Sequence, residues 1–150
     1  MRWIQTKIQG QSVQRRNAML YPMFAMVLLT FAVAVATLRV RGKAARAGTV
    51  DIGYFRLMQG QELPEAIVKS TRHFSNLFEM PMLFYVACTA YLALSIQSGF
   101  ALFLAWLFVL FRCVHAWIHL GYNNVMHRLA AFMAANLCIL LLWIILVFSY

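Results

Sequence analysis

Acidic residues are scarce in this chain: four Asp+Glu stand against 13 Lys+Arg in 150 residues, a net charge of +9. Charged residues of either sign amount to only 11%, whereas an average soluble domain carries about a quarter. That deficit excludes an ordinary soluble domain, a disordered chain and a nucleic-acid binder with a solvated basic face. Seven glycines and three prolines exclude collagen-like and low-complexity architectures. Cys88, Cys113 and Cys138 stand singly inside apolar runs. They form no CxxC and no metal-ligand spacing, so they read as small buried hydrophobes and reveal no redox compartment. What is abundant is apolar surface, at 63% hydrophobic residues and a mean hydropathy of +0.73. The remaining class is a polytopic membrane protein, with one domain as the length prior.

Met19–Leu38 is a run without a charge, about 30 Å long as a helix, which matches the hydrocarbon core of a bilayer. Leu77–Ile96, Phe100–Leu120 and Leu129–Phe148 are the other apolar runs. All are continuous and far longer than a spanning strand needs. The expectation is an all-α fold, an antiparallel bundle of four transmembrane helices over about 19–41, 64–96, 100–122 and 128–148, in one membrane domain 19–150. Gln97-Ser98-Gly99 is a tight connection that makes the second and third spans antiparallel neighbours. Pro64 with Glu65 starts the second helix, since proline suits a first turn and an acid there suits the dipole.

A cleavable signal peptide competes for the first span, with Arg15-Arg16 before it and Ala34-Val35-Ala36 as the cleavage site. Cleavage would leave Arg39, Arg41, Lys43 and Arg46 on the translocated side, against the positive-inside rule. The first connection also carries Arg56, Lys69 and Arg72, and the third carries Arg128. The opposite side has only Arg2, Lys7, Arg15 and Arg16. The larger set faces the cytoplasm, which places both termini outside. Residues 1–18 form a basic, weakly amphipathic segment. It either lies in the interface plane or continues an upstream extension. Trp3, Trp143 and Tyr150 are candidate interface anchors.

A charged residue at the centre of a span costs about 2.5–3.5 kcal/mol, and several polar residues sit in or beside these spans. Arg72, Asn76 and Glu79 recur at i, i+4, i+7, and Arg112, His115, His119 and Tyr122 at i, i+3, i+7, i+10, each set a single helical stripe. With the helices turning at Ser98, Glu79 is level with Trp117 and Asn76 with Leu120. Arg112 then lies about 7 Å deeper than Glu79, a distance its side chain spans by reaching outward. Arg128 begins the fourth helix at the same end, and Arg39 and Arg41 close the first. The plain readings are topogenic charges for Arg39, Arg41, Lys43, Arg46 and Arg128, a structural ion pair for Glu79 and Arg112, and an interhelical hydrogen-bonder for Asn76. His115 and His119 have metal-pair spacing, but only Glu79 offers itself as a third ligand. Hydrogen-bonded histidines are the preferred reading, and no metal is expected. So many polar residues at one depth point to a cavity between helices for a ligand carrying negative charge. Anionic lipid headgroups are the simpler partner of the basic charge.

These motifs resemble the MAPEG superfamily, the membrane-associated proteins in eicosanoid and glutathione metabolism. The likeness runs from about Met19 to the C-terminus. It rests on Arg72-His-Phe-Ser-Asn76-Leu-Phe-Glu79, on Arg112-x-x-His115-x-x-x-His119-Leu-Gly, on Arg128 nine residues later and on the pair Arg39-Val-Arg41. NLFEMPMLFY and HLGYNNVMHR look most like bacterial members. Prostaglandin-synthase-like members carry Tyr where this chain has His119, and some members carry a basic residue at Ser75.

The resemblance implies a four-helix membrane bundle assembled as a homotrimer, in a bacterial inner membrane, with glutathione bound near the cytoplasmic end between subunits. Arg39, Arg72, Asn76, Glu79, Arg112, His115 and Tyr122 would contact glutathione. Arg128 would stabilise its thiolate, and His119 or Tyr122 would move a proton. The implied activity is a glutathione transferase or peroxidase acting on lipophilic electrophiles. A non-catalytic protein that binds lipid or a partner, and a purely structural trimer, are the alternatives.

Overall fold

A computed structural model describes residues 18–149 apart from 52, 58, 59 and 61. The interfacial segment expected over 1–18, all but its last residue, and the anchors Trp3 and Tyr150 lie outside the described residues. The elements are α1 (Leu20–Arg46), a single turn α2 (Tyr54–Leu57), α3 (Glu65–Asn76), α4 (Met80–Ala93), α5 (Gly99–Leu120) and α6 (Val125–Phe148). Among the described residues there is no strand.

α1 runs five residues past the expected end at residue 41. Gly42-Lys43-Ala44-Ala45-Arg46 is mostly good helix former, and the cations of the last turn suit the negative end of the dipole. α5 starts at the side chain of Ser98, which accepts from the Ala101 amide at 3.1 Å. α6 starts three residues earlier than expected because Asn124 caps it, accepting from the amides of Met126 at 3.0 Å and His127 at 3.1 Å. Between them Gly121 closes α5. A Cβ there would meet the Trp117 carbonyl oxygen at 2.8 Å, so the turn admits only glycine without moving backbone.

The second helix, expected unbroken over 64–96, is divided. α3 ends at Asn76 and α4 begins at Met80. The cause is Pro81, which offers no N–H to the carbonyl four residues back, at Leu77, and whose ring crowds it. The chain closes α3 with tighter bonds, Leu77 N–H to Phe74 O at 3.1 Å and Phe78 N–H to Ser75 O at 3.0 Å. Glu79 occupies the junction with ψ −94°.

α1, α5 and α6 are long and apolar enough to cross a membrane. α4 has 14 residues, about 21 Å, and is apolar but short of the hydrocarbon thickness. The bundle is therefore three candidate spans plus a further apolar helix. Phe84 of α4 stacks on Phe108 of α5 at 4.4 Å. That pair is symmetrical about Ile96, so the turn is centred two residues before Ser98. Tyr91 donates from its buried hydroxyl to the Leu142 carbonyl at 3.0 Å, and Trp143 donates to Leu83 O at 3.3 Å, tying α4 to α6. Thr37 donates to Ser70 O at 3.3 Å, and Arg41 to Thr71 Oγ1 at 3.0 Å, tying α1 to α3. Outward faces are apolar: Phe24, Phe31, Met82, Leu110, Leu137 and Val147 are all exposed. In water such a surface aggregates; in lipid it is solvated.

Candidate functional site

α3, the last turns of α5 and the first turns of α6 meet at one end of the bundle. They enclose a cleft of about 300 Å3. One wall is polar, made by Arg72 and Asn76 of α3, His115 and His119 of α5, and Arg128 of α6. The other is apolar, made by Val125, Leu129 and Phe132, successive residues of one α6 face. Five of the nine residues singled out in the sequence therefore line one cleft.

Arg112 lies behind that wall, wholly buried. Its guanidinium donates to Asn76 Oδ1 at 2.9 Å and to the Asn76 carbonyl at 3.2 Å. The second bond matters because the helix break frees that carbonyl from an intrahelical partner. A guanidinium has only donors, so it takes the oxygen of the carboxamide and leaves the amide nitrogen facing away. That nitrogen donates to Glu79 Oε2 at 3.3 Å. Among the described residues no ion pair joins Glu79 to Arg112; Asn76 mediates between them. Glu79 is exposed and stands outside the cleft, displaced by the break from the stripe that unbroken 3.6-residue spacing assigns it.

Two further expectations stay apart from the cleft. Arg39 is exposed on α1. The Tyr122 hydroxyl is 2.9 Å from His127 Nδ1, at the surface of the α5–α6 turn. Arg128 is half-buried and donates to Asn123 Oδ1 at 2.9 Å. That contact holds its side chain at the mouth.

The residue that sequence reasoning missed is His73. It lies one position after Arg72 and three before Asn76, on the buried side of α3, with 0% exposure. Its ring is 5.2 Å from His115 and 5.1 Å from His119, centroid to centroid. His115 and His119 stand 5.7 Å apart. The signal available was the i, i+3 spacing to Asn76, which puts both on one helical face. Both His73 ring nitrogens, and Nδ1 of His115 and His119, are buried without a hydrogen-bond partner. Among the described residues, no three of His, Cys, Asp and Glu are arranged to hold a metal.

Burial, reinforced by repulsion from His115 and His119 when they are protonated and from the Arg112 and Arg128 guanidiniums, lowers the His73 pKa from 6.5 to about 3. An unfolded chain takes up that proton near 6.5, so the unfolded state holds more protons between those two values. Stability is then greatest above pH 6.5 and falls as pH drops toward 3, with a limiting slope of about 1.4 kcal/mol per pH unit. Thermal unfolding in detergent from pH 8 to pH 4 is expected to show that decline, and His73→Gln to make it shallower. An equal slope in the variant would remove His73 from the explanation.

A bundle of apolar helices with a cleft of mixed polarity at one end defines a membrane protein. The MAPEG family model matches residues 19–148, and the chain belongs to the MAPEG family. It is therefore a membrane protein of a glutathione- and eicosanoid-related family. No curated protein and no solved structure matches the chain.

Proposed function

We propose that the protein is a glutathione-dependent membrane enzyme, a transferase or peroxidase that conjugates or reduces lipophilic electrophiles. The observation that carries this reading is the two-sided cleft, with guanidinium groups and imidazoles on one wall and an α6 apolar face on the other. Its volume of about 300 Å3 is at the lower end for small-molecule sites.

Glutathione brings two carboxylates and a thiol. Arg72 and Arg128 supply charge-assisted donors for them, and the rings of His115 and His119 line the same wall. A free thiol titrates near pH 8.5, and a neighbouring guanidinium lowers that value. Arg128, at the mouth, is the group assigned to hold the thiolate. His119, which lines the cleft, is assigned proton transfer in preference to Tyr122, which does not. Arg112 and Asn76 act as one rigid unit that positions the wall. Glu79 reaches the ligand's ammonium only at the cleft's outer edge. An electrophile dissolved in the bilayer would arrive along Leu129 and Phe132. The same reading includes a homotrimer, with Arg39 outside each chain's own cleft, and an inner-membrane location with the cleft toward the cytoplasm.

The decisive experiment titrates glutathione into detergent-solubilised protein and follows thiolate absorbance. Saturable appearance of thiolate at neutral pH, with turnover of a lipophilic electrophile, is expected. Binding of lipid with no response to glutathione would replace this reading with a non-catalytic lipid-binding protein.

A further inference from the structure

The three imidazoles at the polar wall lack what ordinarily orients a histidine. His73, His115 and His119 are all buried. Four of their ring nitrogens are sealed from solvent with no hydrogen-bond partner: both of His73, Nδ1 of His115 and Nδ1 of His119. A histidine that serves a reaction usually has its second nitrogen held by a carbonyl or a carboxylate. Among the described residues no such oxygen bonds these four, and a bare polar atom in an interior is strongly disfavoured.

The rings themselves can supply the missing partners. His115 and His119 lie one turn apart on α5. Their Nδ1 atoms are sealed inside, which leaves Nε2 as the nitrogen available to the cleft that both line. His73 meets both from α3, its ring centre 5.2 Å from that of His115 and 5.1 Å from that of His119. Two imidazoles joined by an in-plane N–H···N bond, with nitrogens about 2.9 Å apart, have their centres about 5 Å apart. A bridging water would set them farther apart. The planes are inclined at 40° and 54°, and the terminal torsion of a histidine is soft. Turning the rings in place therefore aligns the bonds.

A neutral imidazole carries one donor and one acceptor. His73 is neutral at pH 7, since burial above all lowers its pKa to about 3. It can accept from one neighbour and donate to the other, and the four bare nitrogens then close into two bonds. We propose that His73 bridges His115 and His119 in this way, as a positioning residue for the cleft. A bridge that accepts on one side and donates on the other forces its neighbours into opposite tautomers. One of them shows the cleft a bare Nε2, the other an Nε2–H. The wall thus presents an acceptor and a donor together, alongside the guanidiniums of Arg72 and Arg128.

The use of this pair rests on the glutathione reading above. His119 gives its Nδ1–H to His73, and its bare Nε2 takes the thiol proton. The imidazolium returns that proton to the atom of the electrophile that gains the electron pair when sulfur attacks. The Nε2–H of His115 donates to an anionic group of the ligand.

The test isotope-labels the histidine nitrogens of the full-length protein in lipid vesicles and reads the tautomers by NMR. The sequence has four histidines. His127→Gln removes the one outside the cluster, and His115→Gln and His119→Gln assign the rest. Opposite tautomers at His115 and His119 are expected, with His119 protonated on Nδ1. In His73→Leu, which fills the space without a polar atom, both rings are expected to relax to one common mixture. Its kcat is expected to fall about ten- to a hundred-fold, with little change in KM for glutathione. His73→Gln, whose carboxamide again carries a donor and an acceptor, is expected to recover most of that loss.

The same tautomer at both rings of the parent protein would overturn the proposal, and that spectrum requires no variant to fold. So would tautomers left unchanged in His73→Leu. Stoichiometric zinc in the purified protein, lost in His73→Leu, would also overturn it, because the bare nitrogens would then be metal ligands. Opposite tautomers without glutathione binding would sustain the bridge and remove the transferase reading instead.

Discussion

Arg112→Ala is expected to unfold the bundle or lower its thermal midpoint more than any other single change at the cleft end. The side chain is wholly buried and satisfies two oxygens of Asn76. One of them is the carbonyl left unpaired by the division between α3 and α4. Removing the guanidinium leaves both without donors, at about 1–3 kcal/mol each. It also opens a cavity the size of an arginine side chain, which adds a further cost. Whole-protein stabilities are about 5–15 kcal/mol, so the loss is a large fraction of the total. Arg112→Lys is expected to be intermediate, because an ammonium restores charge without the planar fork that meets two acceptors together. Midpoints in detergent for the two variants test the ranking, and an alanine variant as stable as the parent would refute it.

Arg128→Ala is expected to abolish thiolate formation while leaving most glutathione affinity. Lowering a thiol pKa by two units takes about 2.7 kcal/mol of preferential stabilisation of the anion, which corresponds to about a hundred-fold in ionisation. A half-buried guanidinium fixed by Asn123 is placed to supply it. Arg72 remains in the cleft wall to hold a carboxylate. The measurement is thiolate absorbance against bound glutathione for parent and variant at the same pH. Unchanged absorbance per bound ligand would assign the role to another group.

How much of this was legible in the sequence follows from what periodicity encodes. The spans that became α1, α5 and α6 were visible because an uninterrupted apolar run has one stable form in a bilayer, a helix with its own hydrogen bonds satisfied. The stripe Arg112, His115, His119 was legible because α5 is unbroken, so angular spacing survives folding. The stripe Arg72, Asn76, Glu79 was legible only as far as Asn76. Pro81 acts several residues upstream of itself, on the carbonyl of Leu77, and a reading by composition took it as one more member of an apolar run. Beyond the break Glu79 follows a new helix axis, and it ends up exposed. Arg39 and Tyr122 show a different limit. Depth along a helix can be counted from a turn, but the direction in which a side chain leaves the helix also depends on which neighbour packs there. His73 escaped notice for the converse reason. Its importance comes from the two α5 rings it meets, which the local sequence of α3 does not display.

Asn76 does more than fill the gap between two charges. A bare guanidinium behind the wall would act equally in every direction, as a field without orientation. The carboxamide takes up the cation on its oxygen side and turns two N–H bonds outward, one of them to Glu79. What the surface receives from the hidden positive charge is thereby a vector, aimed and short-ranged. An aspartate of the same shape would satisfy the guanidinium but set two carboxylates against each other. A neutral carboxamide at this position links the cation inside to the acid outside, accepting from one and donating to the other.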